Sequence, residues 1–257
     1  MASTDPSRLY SEVDFNQDGR QTGFIRLFHS VHSSAYGFIP IPIVVIRNGE
    51  GPTALFVSGN HGDEYEGQVA LCNLAQSLDP ASIRGRVIIM TMANFPAAMA
   101  GTRTSPIDGG NLNRIFPGDP DGGVTAQIAY FLETVIVPLA DVVCDLHSGG
   151  SSLMYTPCAL AVGPSDPARL PPLIALLRAF GAPLAFVTVG GNGTGDAKSL
   201  AGAAARRGIP CINTELGGAG TVSAAGLRLA ERGLINVLVH AGILSAEARI
   251  PVDGEMR

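Results

Sequence analysis

The sequence predicts an α/β fold, a mostly parallel mixed sheet with helices on both faces. Three observations carry this. Short apolar runs of strand length alternate along the chain with longer stretches in which apolar residues recur at three-to-four spacing. Several of the runs, residues 86–92 above all, are nearly unbroken rather than alternating, as burial of both faces in a parallel sheet demands. The chain has 257 residues, 46% hydrophobic and 15% charged, enough for a sizeable core.

Taken in order, residues 1–20 are polar and read as loose, within an N-terminal extension and strand that runs to residue 40. Strands are expected at 24–31 and 41–47, the second closed by the turn signal Asn48-Gly49-Glu50-Gly51-Pro52. A short buried strand at 54–58 leads through a tight turn at 59–62 into a helix over 64–78. The strand at 86–92 is followed by an irregular loop, 94–118, of a length seldom left unstructured without a function. Helices are expected at 125–137, 172–180, 198–207 and 224–240, and further strands at 142–146, 185–189 and 209–214. Residues 41–245 form the body of the domain.

Composition excludes several classes of function. A net charge of −5 offers no basic field, so nucleic acid and anionic membrane are not expected partners. No apolar run is long enough to cross a bilayer. Residues 1–14 lack the charged start and apolar core of a signal peptide, so a cytoplasmic location is expected. Cys72, Cys144, Cys158 and Cys211 form no Cys-x-x-Cys pair and read as structural thiols. Assembly into a homo-oligomer is left open.

The chemistry concentrates at strand ends. His61 and Glu64 lie in Gly59-Asn60-His61-Gly62-Asp63-Glu64, just past one strand, and His147 ends another in Asp145-Leu146-His147. Two imidazoles and one carboxylate form a zinc ligand set that leaves the fourth tetrahedral position open, as catalytic sites do. In open α/β sheets the ligand crevice lies beyond the carboxyl ends of the parallel strands, where these residues fall. Glu215 follows a third buried strand, where a carboxylate could accept a proton from water and return it to a leaving amine. Asp145 shares a strand face with His147 and either orients that imidazole or serves a neighbouring loop or lysine. The 94–118 loop holds Arg103, Asn111, Asn113 and Arg114 among glycines and prolines. They form either an anion clamp or ordinary solvated loop charges. His29 and His32 would point to opposite faces of a strand, against chelation by the pair. The glycine-rich stretch from Gly190 to Asp196 lacks phosphate-loop spacing and reads as a pocket wall, with Asp196 as an N-cap or a contact for a cationic side chain.

Together these residues resemble the zinc carboxypeptidase superfamily, and within it the succinylglutamate desuccinylase and aspartoacylase branch. Four segments match in order: His61 to Glu64 with its glycines, Arg103 with Asn111-Leu112-Asn113-Arg114, Asp145-Leu146-His147, and Thr214-Glu215. The glycine-rich form of 108–118 is most similar to the deacetylases of that branch acting on Nα-acetyl-L-2,4-diaminobutyrate in ectoine breakdown. The resemblance implies the zinc carboxypeptidase fold and zinc-dependent hydrolysis of the amide of a small N-acyl amino acid. It implies zinc on His61, Glu64 and His147, Glu215 as general base and then acid, Arg103 at the oxyanion, and Asn113 with Arg114 on the substrate carboxylate. Related readings are a succinylglutamate- or N-acetylaspartate-type deacylase, a carboxypeptidase acting on short peptides, and a non-catalytic zinc or anion-binding module. Two departures stand out. Where many relatives have Asp-Leu-Asn-Arg this chain has Asn111, which removes a charge beside Arg114. Relatives also continue into a C-terminal β-rich domain, so residues 246–257 are expected to begin a linker toward a domain this chain lacks.

Overall fold

Strand β4 (Thr53–Ser58) is buried along its whole length and lies in the middle of a nine-stranded sheet. The computed structural model describes residues 7–33, 36–188 and 196–252. The sheet opens with an antiparallel flank of β1 (Leu9–Ser11), β2 (Gly19–Phe28) and β3 (Phe38–Asn48). β3 joins β5 (Gly85–Met90) antiparallel, and from there β5, β4, β6 (Val142–His147) and β9 (Cys211–Glu215) run parallel to one another. Beyond β9 lie β7 (Cys158–Val162), antiparallel to it, and β8 (Leu184–Thr188), parallel to β7. The parallel centre flanked by antiparallel strands is the mixed α/β sheet expected from the sequence.

Strand pleating explains why the central runs are apolar throughout. Successive side chains of a strand point to opposite faces, so each layer needs its own apolar residue. In β4, Ala54 and Phe56 join one core layer while Leu55 and Val57 join the other. Helices α1 (Tyr65–Ser77), α4 (Leu170–Phe180) and α6 (Ala224–His240) cover the Phe56 side through Leu71, Leu74, Leu177, Phe180, Leu234 and Val237. The Leu55 side is covered by α3 (Val124–Phe131) and α5 (Leu200–Arg206), through Ile128, Leu200 and Ala203. Another short helix, α2 (Phe95–Ala100), lies between β5 and the following loop.

Several expectations shift. Residues 9–11 form β1 instead of loose chain, because Leu9 is buried opposite Leu27 in the antiparallel register. β2 starts at Gly19 and ends at Phe28, so His29 and His32 fall past its end and neither belongs to a strand. The expected helix at 125–137 is α-helical only to Phe131. It then loosens into a π turn, Leu132–Ile136, and a 3-10 turn, Val137–Leu139, where Pro138 supplies no amide for a regular ladder. β7 is not legible in the sequence, being five residues set between Pro157 and Gly163. The 94–118 loop contains α2 and a 3-10 turn at Leu112–Arg114. Residues 190–195 lie outside the described residues, and Asp196 begins a short 3-10 turn. The four cysteines are free, three of them buried. Among the described residues no helix is long and apolar enough to cross a membrane.

Candidate active site

Three neighbouring parallel strands end together, and the predicted site residues sit at those ends. In the register, Ser58 of β4 pairs with Leu146 of β6, and His147 of β6 pairs with Glu215 of β9. His61 follows β4 after a turn whose tightness the sequence dictates. Gly59 has φ +69°, and a Cβ at Gly62 would lie 2.0 Å from the carbonyl of Ala97 in α2. The Gly62 amide also donates to Thr102 O at 2.9 Å, so the turn is packed against the segment that carries Arg103. Glu64 stands just before α1 with an extended backbone, at the N-cap position rather than inside the helix.

His61, Glu64 and His147 converge and are all buried. His61 Nδ1 lies 2.7 Å from Glu64 Oε1, and His147 Nδ1 lies 2.7 Å from Glu64 Oε2. One ligand atom from each residue falls within 4.8 Å of the others. The far side of each ring meets an acceptor: His147 Nε2 is 2.9 Å from Asp145 Oδ2, and His61 Nε2 is 3.1 Å from Asn111 Oδ1. A proton on each Nε2 would serve those acceptors and turn both Nδ1 lone pairs toward the carboxylate. Two lone pairs and an anion aimed at one another, out of water, suit a divalent cation.

The electrostatics agree with that donor set. Burial alone would raise Glu64, but the imidazoles of His147 and His61 hold its carboxyl well below the usual range. Burial likewise pulls His147 down, yet the carboxylates of Asp145 and Glu64 outweigh it and His147 is raised. His61 is lowered, chiefly by burial. Glu215 is pushed up to about 7 by burial, with Glu64 and Asp145 adding to the rise while His147 and Arg103 oppose it. Its Oε2 is buried with no hydrogen-bond partner among the described residues. A carboxyl group in such surroundings is suited to exchange protons near neutral pH.

The arginines differ from one another. Arg103 is half exposed, with Nη1 3.2 Å from Glu64 Oε1, at the edge of the ligand cluster. Arg114 is exposed, donates from Nη1 to the carbonyl of Asn113 at 2.7 Å, and forms no ion pair among the described residues. The Asn113 side chain is buried and engaged: Oδ1 accepts from the Leu200 amide at 2.8 Å, while Nδ2 lies 2.9 Å from His147 Nε2 and 3.4 Å from Asp145 Oδ2.

Sequence reasoning missed several contributors. Asn60 Nδ2 donates to Asp145 Oδ1 at 2.6 Å, so Asp145 is fixed between Asn60 and His147. Asn111 orients His61, a role not expected from a residue read for its effect on Arg114. The Ser148 amide donates to Glu64 Oε2 at 3.1 Å, and Thr214 Oγ1 accepts from the His147 amide at 3.1 Å. Asn60 and Ser148 each adjoin a predicted ligand, which is the signal that could have found them.

The catalytic-domain model of the succinylglutamate desuccinylase/aspartoacylase family matches residues 50–241. The chain is 47% identical over 252 residues to the N-alpha-acetyl-L-2,4-diaminobutyric acid deacetylase of Halomonas elongata, covering 98% of this chain and 72% of that protein. Among solved structures, the product-bound ectoine utilization protein EutE (DoeB) from Ruegeria pomeroyi superposes with a TM-score of 0.91 at 43% identity, over 97% of this chain and 74% of that one. A succinylglutamate desuccinylase/aspartoacylase from Rhodobacter sphaeroides gives a TM-score of 0.87 at 42% identity, over 93% and 71% of the respective chains.

Proposed function

This chain belongs to the succinylglutamate desuccinylase/aspartoacylase family, and on that premise we propose that it is a zinc-dependent hydrolase of the amide bond in N-acyl amino acids, with Nα-acetyl-L-2,4-diaminobutyrate as substrate in ectoine breakdown. The observation that carries the reading is the convergence of His61 Nδ1, Glu64 and His147 Nδ1 beside Glu215. His61, Glu64 and His147 would hold the zinc. When bound it supplies Lewis acidity toward an amide carbonyl and a more acidic water.

The residues of the chain divide the remaining work. Glu215 accepts the proton of the attacking water and delivers it to the departing nitrogen, which leaves as a neutral amine. Arg103, at the edge of the ligand cluster, faces the negative charge that develops on the carbonyl oxygen. Arg114 supplies the charge that takes the substrate carboxylate, and Asn113 acts with it through the backbone carbonyl that steadies the guanidinium. This clamp fixes the amide against the base and lowers the entropic cost of reaction.

The test is metal analysis of the purified protein coupled to hydrolysis of a panel of N-acetyl, N-succinyl and other N-acyl amino acids and of short peptides, repeated with Glu215→Ala. The expected result is one zinc per chain and release of acetate from Nα-acetyl-L-2,4-diaminobutyrate, abolished in the variant. Preferred cleavage of peptides would replace the deacylase reading with a carboxypeptidase. Bound zinc without turnover of any compound would leave a binding module.

A further inference from the structure

Two more acids lie in the same stretch as Glu64, and the hydrolytic reading does not use them. Asp63 and Glu66 are 5% and 0% exposed and take no part in the His61–Glu64–His147 cluster. Asp63 Oδ2 accepts from both the amide and the hydroxyl of Ser151, each at 2.8 Å. Glu66 Oε1 accepts from the Gly218 amide at 3.1 Å. The second oxygen of each, Asp63 Oδ1 and Glu66 Oε2, is buried without a partner among the described residues. Buried polar atoms are nearly always paired, so two half-satisfied carboxylates are not explained by stability.

What they hold explains them better. Ser151 belongs to the segment that follows β6, whose first residue, Ser148, donates its amide to Glu64 Oε2. Gly218 belongs to the segment that follows β9, three residues past Glu215. The two segments are laced together by Gly149 N to Gly217 O at 3.0 Å and Gly220 N to Gly150 O at 2.8 Å. Leu216 N to His147 O, at 3.0 Å, ties the second segment back to a ligand residue. Both carboxylates approach glycines closely: a Cβ at Gly150 would lie 2.6 Å from Asp63 Oδ2, and one at Gly217 2.6 Å from Glu66 Oε1. Asp63, Glu64 and Glu66 all stand at the start of α1, so one rigid element refers both segments to the metal ligand it carries.

We propose that Asp63 and Glu66 are positioning residues of the active site. Asp63 holds the segment that aims the Ser148 amide at Glu64, and Glu66 holds the segment that sets Glu215 against His147. The proposal rests on the hydrolytic reading of this same cleft and assigns the two flanking acids a share in it.

Four variants test it: Asp63→Ala, Asp63→Asn, Glu66→Ala and Glu66→Gln. Each is measured by chelator competition for zinc, by amide hydrogen exchange and by steady-state kinetics on the N-acyl amino acid. Asp63→Ala is expected to weaken zinc binding about 10- to 100-fold, as loss of an outer partner of a metal ligand does, and to speed exchange at the Ser148 amide. Glu66→Ala is expected to leave zinc affinity and KM unchanged, to speed exchange at Leu216, and to lower kcat about 10- to 100-fold through misplacement of Glu215. Asn and Gln each keep an acceptor for the same amide and should restore most of the loss. Should an alanine variant fail to fold, Asp63→Glu and Glu66→Asp, which move the acceptor by one methylene, replace it with the same expected losses. Wild-type zinc affinity and exchange in the Asp63 variants together with wild-type kcat and exchange in the Glu66 variants would overturn the proposal, as would losses that Asn and Gln do not rescue. If the wild-type protein binds zinc but hydrolyses nothing, the hydrolytic reading fails separately, and the zinc-affinity and exchange measurements still decide this one.

Discussion

His147 is met at both ring nitrogens, by Glu64 at Nδ1 and by Asp145 at Nε2, and the consequences of removing its outer partners differ in size. Asp145 meets its Nε2 directly, whereas Asn60 acts one step further out, through Asp145 Oδ1. Asp145→Ala is therefore expected to lower zinc affinity about 10- to 100-fold, with Asn60→Ala producing a smaller loss. Competition with a chromogenic chelator measures both, and equal affinity in Asp145→Ala and wild type would remove Asp145 from that role. Glu215 should behave in the opposite way. Glu215→Gln keeps the volume but cannot shuttle a proton, so kcat should fall about 10²- to 10⁴-fold while the zinc content holds at the wild-type level. The convergence of His61, Glu64 and His147 was legible from residue identity and spacing alone. The Asn60 and Asn111 contacts were not, because an asparagine's partner depends on which strand ends the fold brings together.

Helix α3 starts after Gly123, which has no side chain to cap it, and Asp108 supplies the cap from the preceding loop. Its carboxylate accepts from the Thr125 amide and hydroxyl, both at 2.7 Å, and from the Gly110 amide at 3.1 Å. Asp108→Ala should cost about 1 kcal/mol, as the loss of a helix cap does. These hydrogen bonds also fix the sign with pH. Though its partial burial opposes ionisation, the Thr125 and Gly110 donors hold the Asp108 carboxyl below its ordinary value. A depressed carboxyl contributes stability that is present above its unfolded pKa and lost as pH falls through the folded one. The difference in unfolding free energy between wild type and Asp108→Ala should accordingly be full at neutral pH and shrink below about pH 4 in urea titrations. A difference that stayed constant down to pH 2 would mean that the charged form is not the one that caps. At this scale the central strands were legible because both faces need apolar residues. Two outer strands were not: β1 and β7 are short, and tertiary pairing to Leu27 and to β9 makes them strands more than their own composition does.

Across the whole molecule the ends of three adjacent parallel strands bring together His61 and Glu64 after β4, His147 of β6 and Glu215 of β9, a buried cluster whose His-Glu-His part has the ligand types that suit a divalent cation. Zinc that binds the folded chain and not the unfolded one should stabilise it by about 2.7 kcal/mol at a free concentration one hundred times Kd. Removal by a chelator should therefore lower Tm by several degrees, and zinc should restore it. His147→Ala should shrink this zinc-dependent shift at a given zinc concentration, since two ligands remain of three. That the sheet is largely parallel with helices on both faces was legible from the alternation of strand and helix, whereas the strand order and the antiparallel flanks depend on pairing across the sheet that no local pattern encodes. The most direct test of the account is the zinc-edge X-ray absorption spectrum of the zinc-loaded protein. Nitrogen and oxygen scatterers only, with the multiple-scattering signature of two imidazoles that drops to one in His147→Ala, is the predicted result; sulfur in the coordination shell, or a spectrum unchanged by His147→Ala, would contradict it.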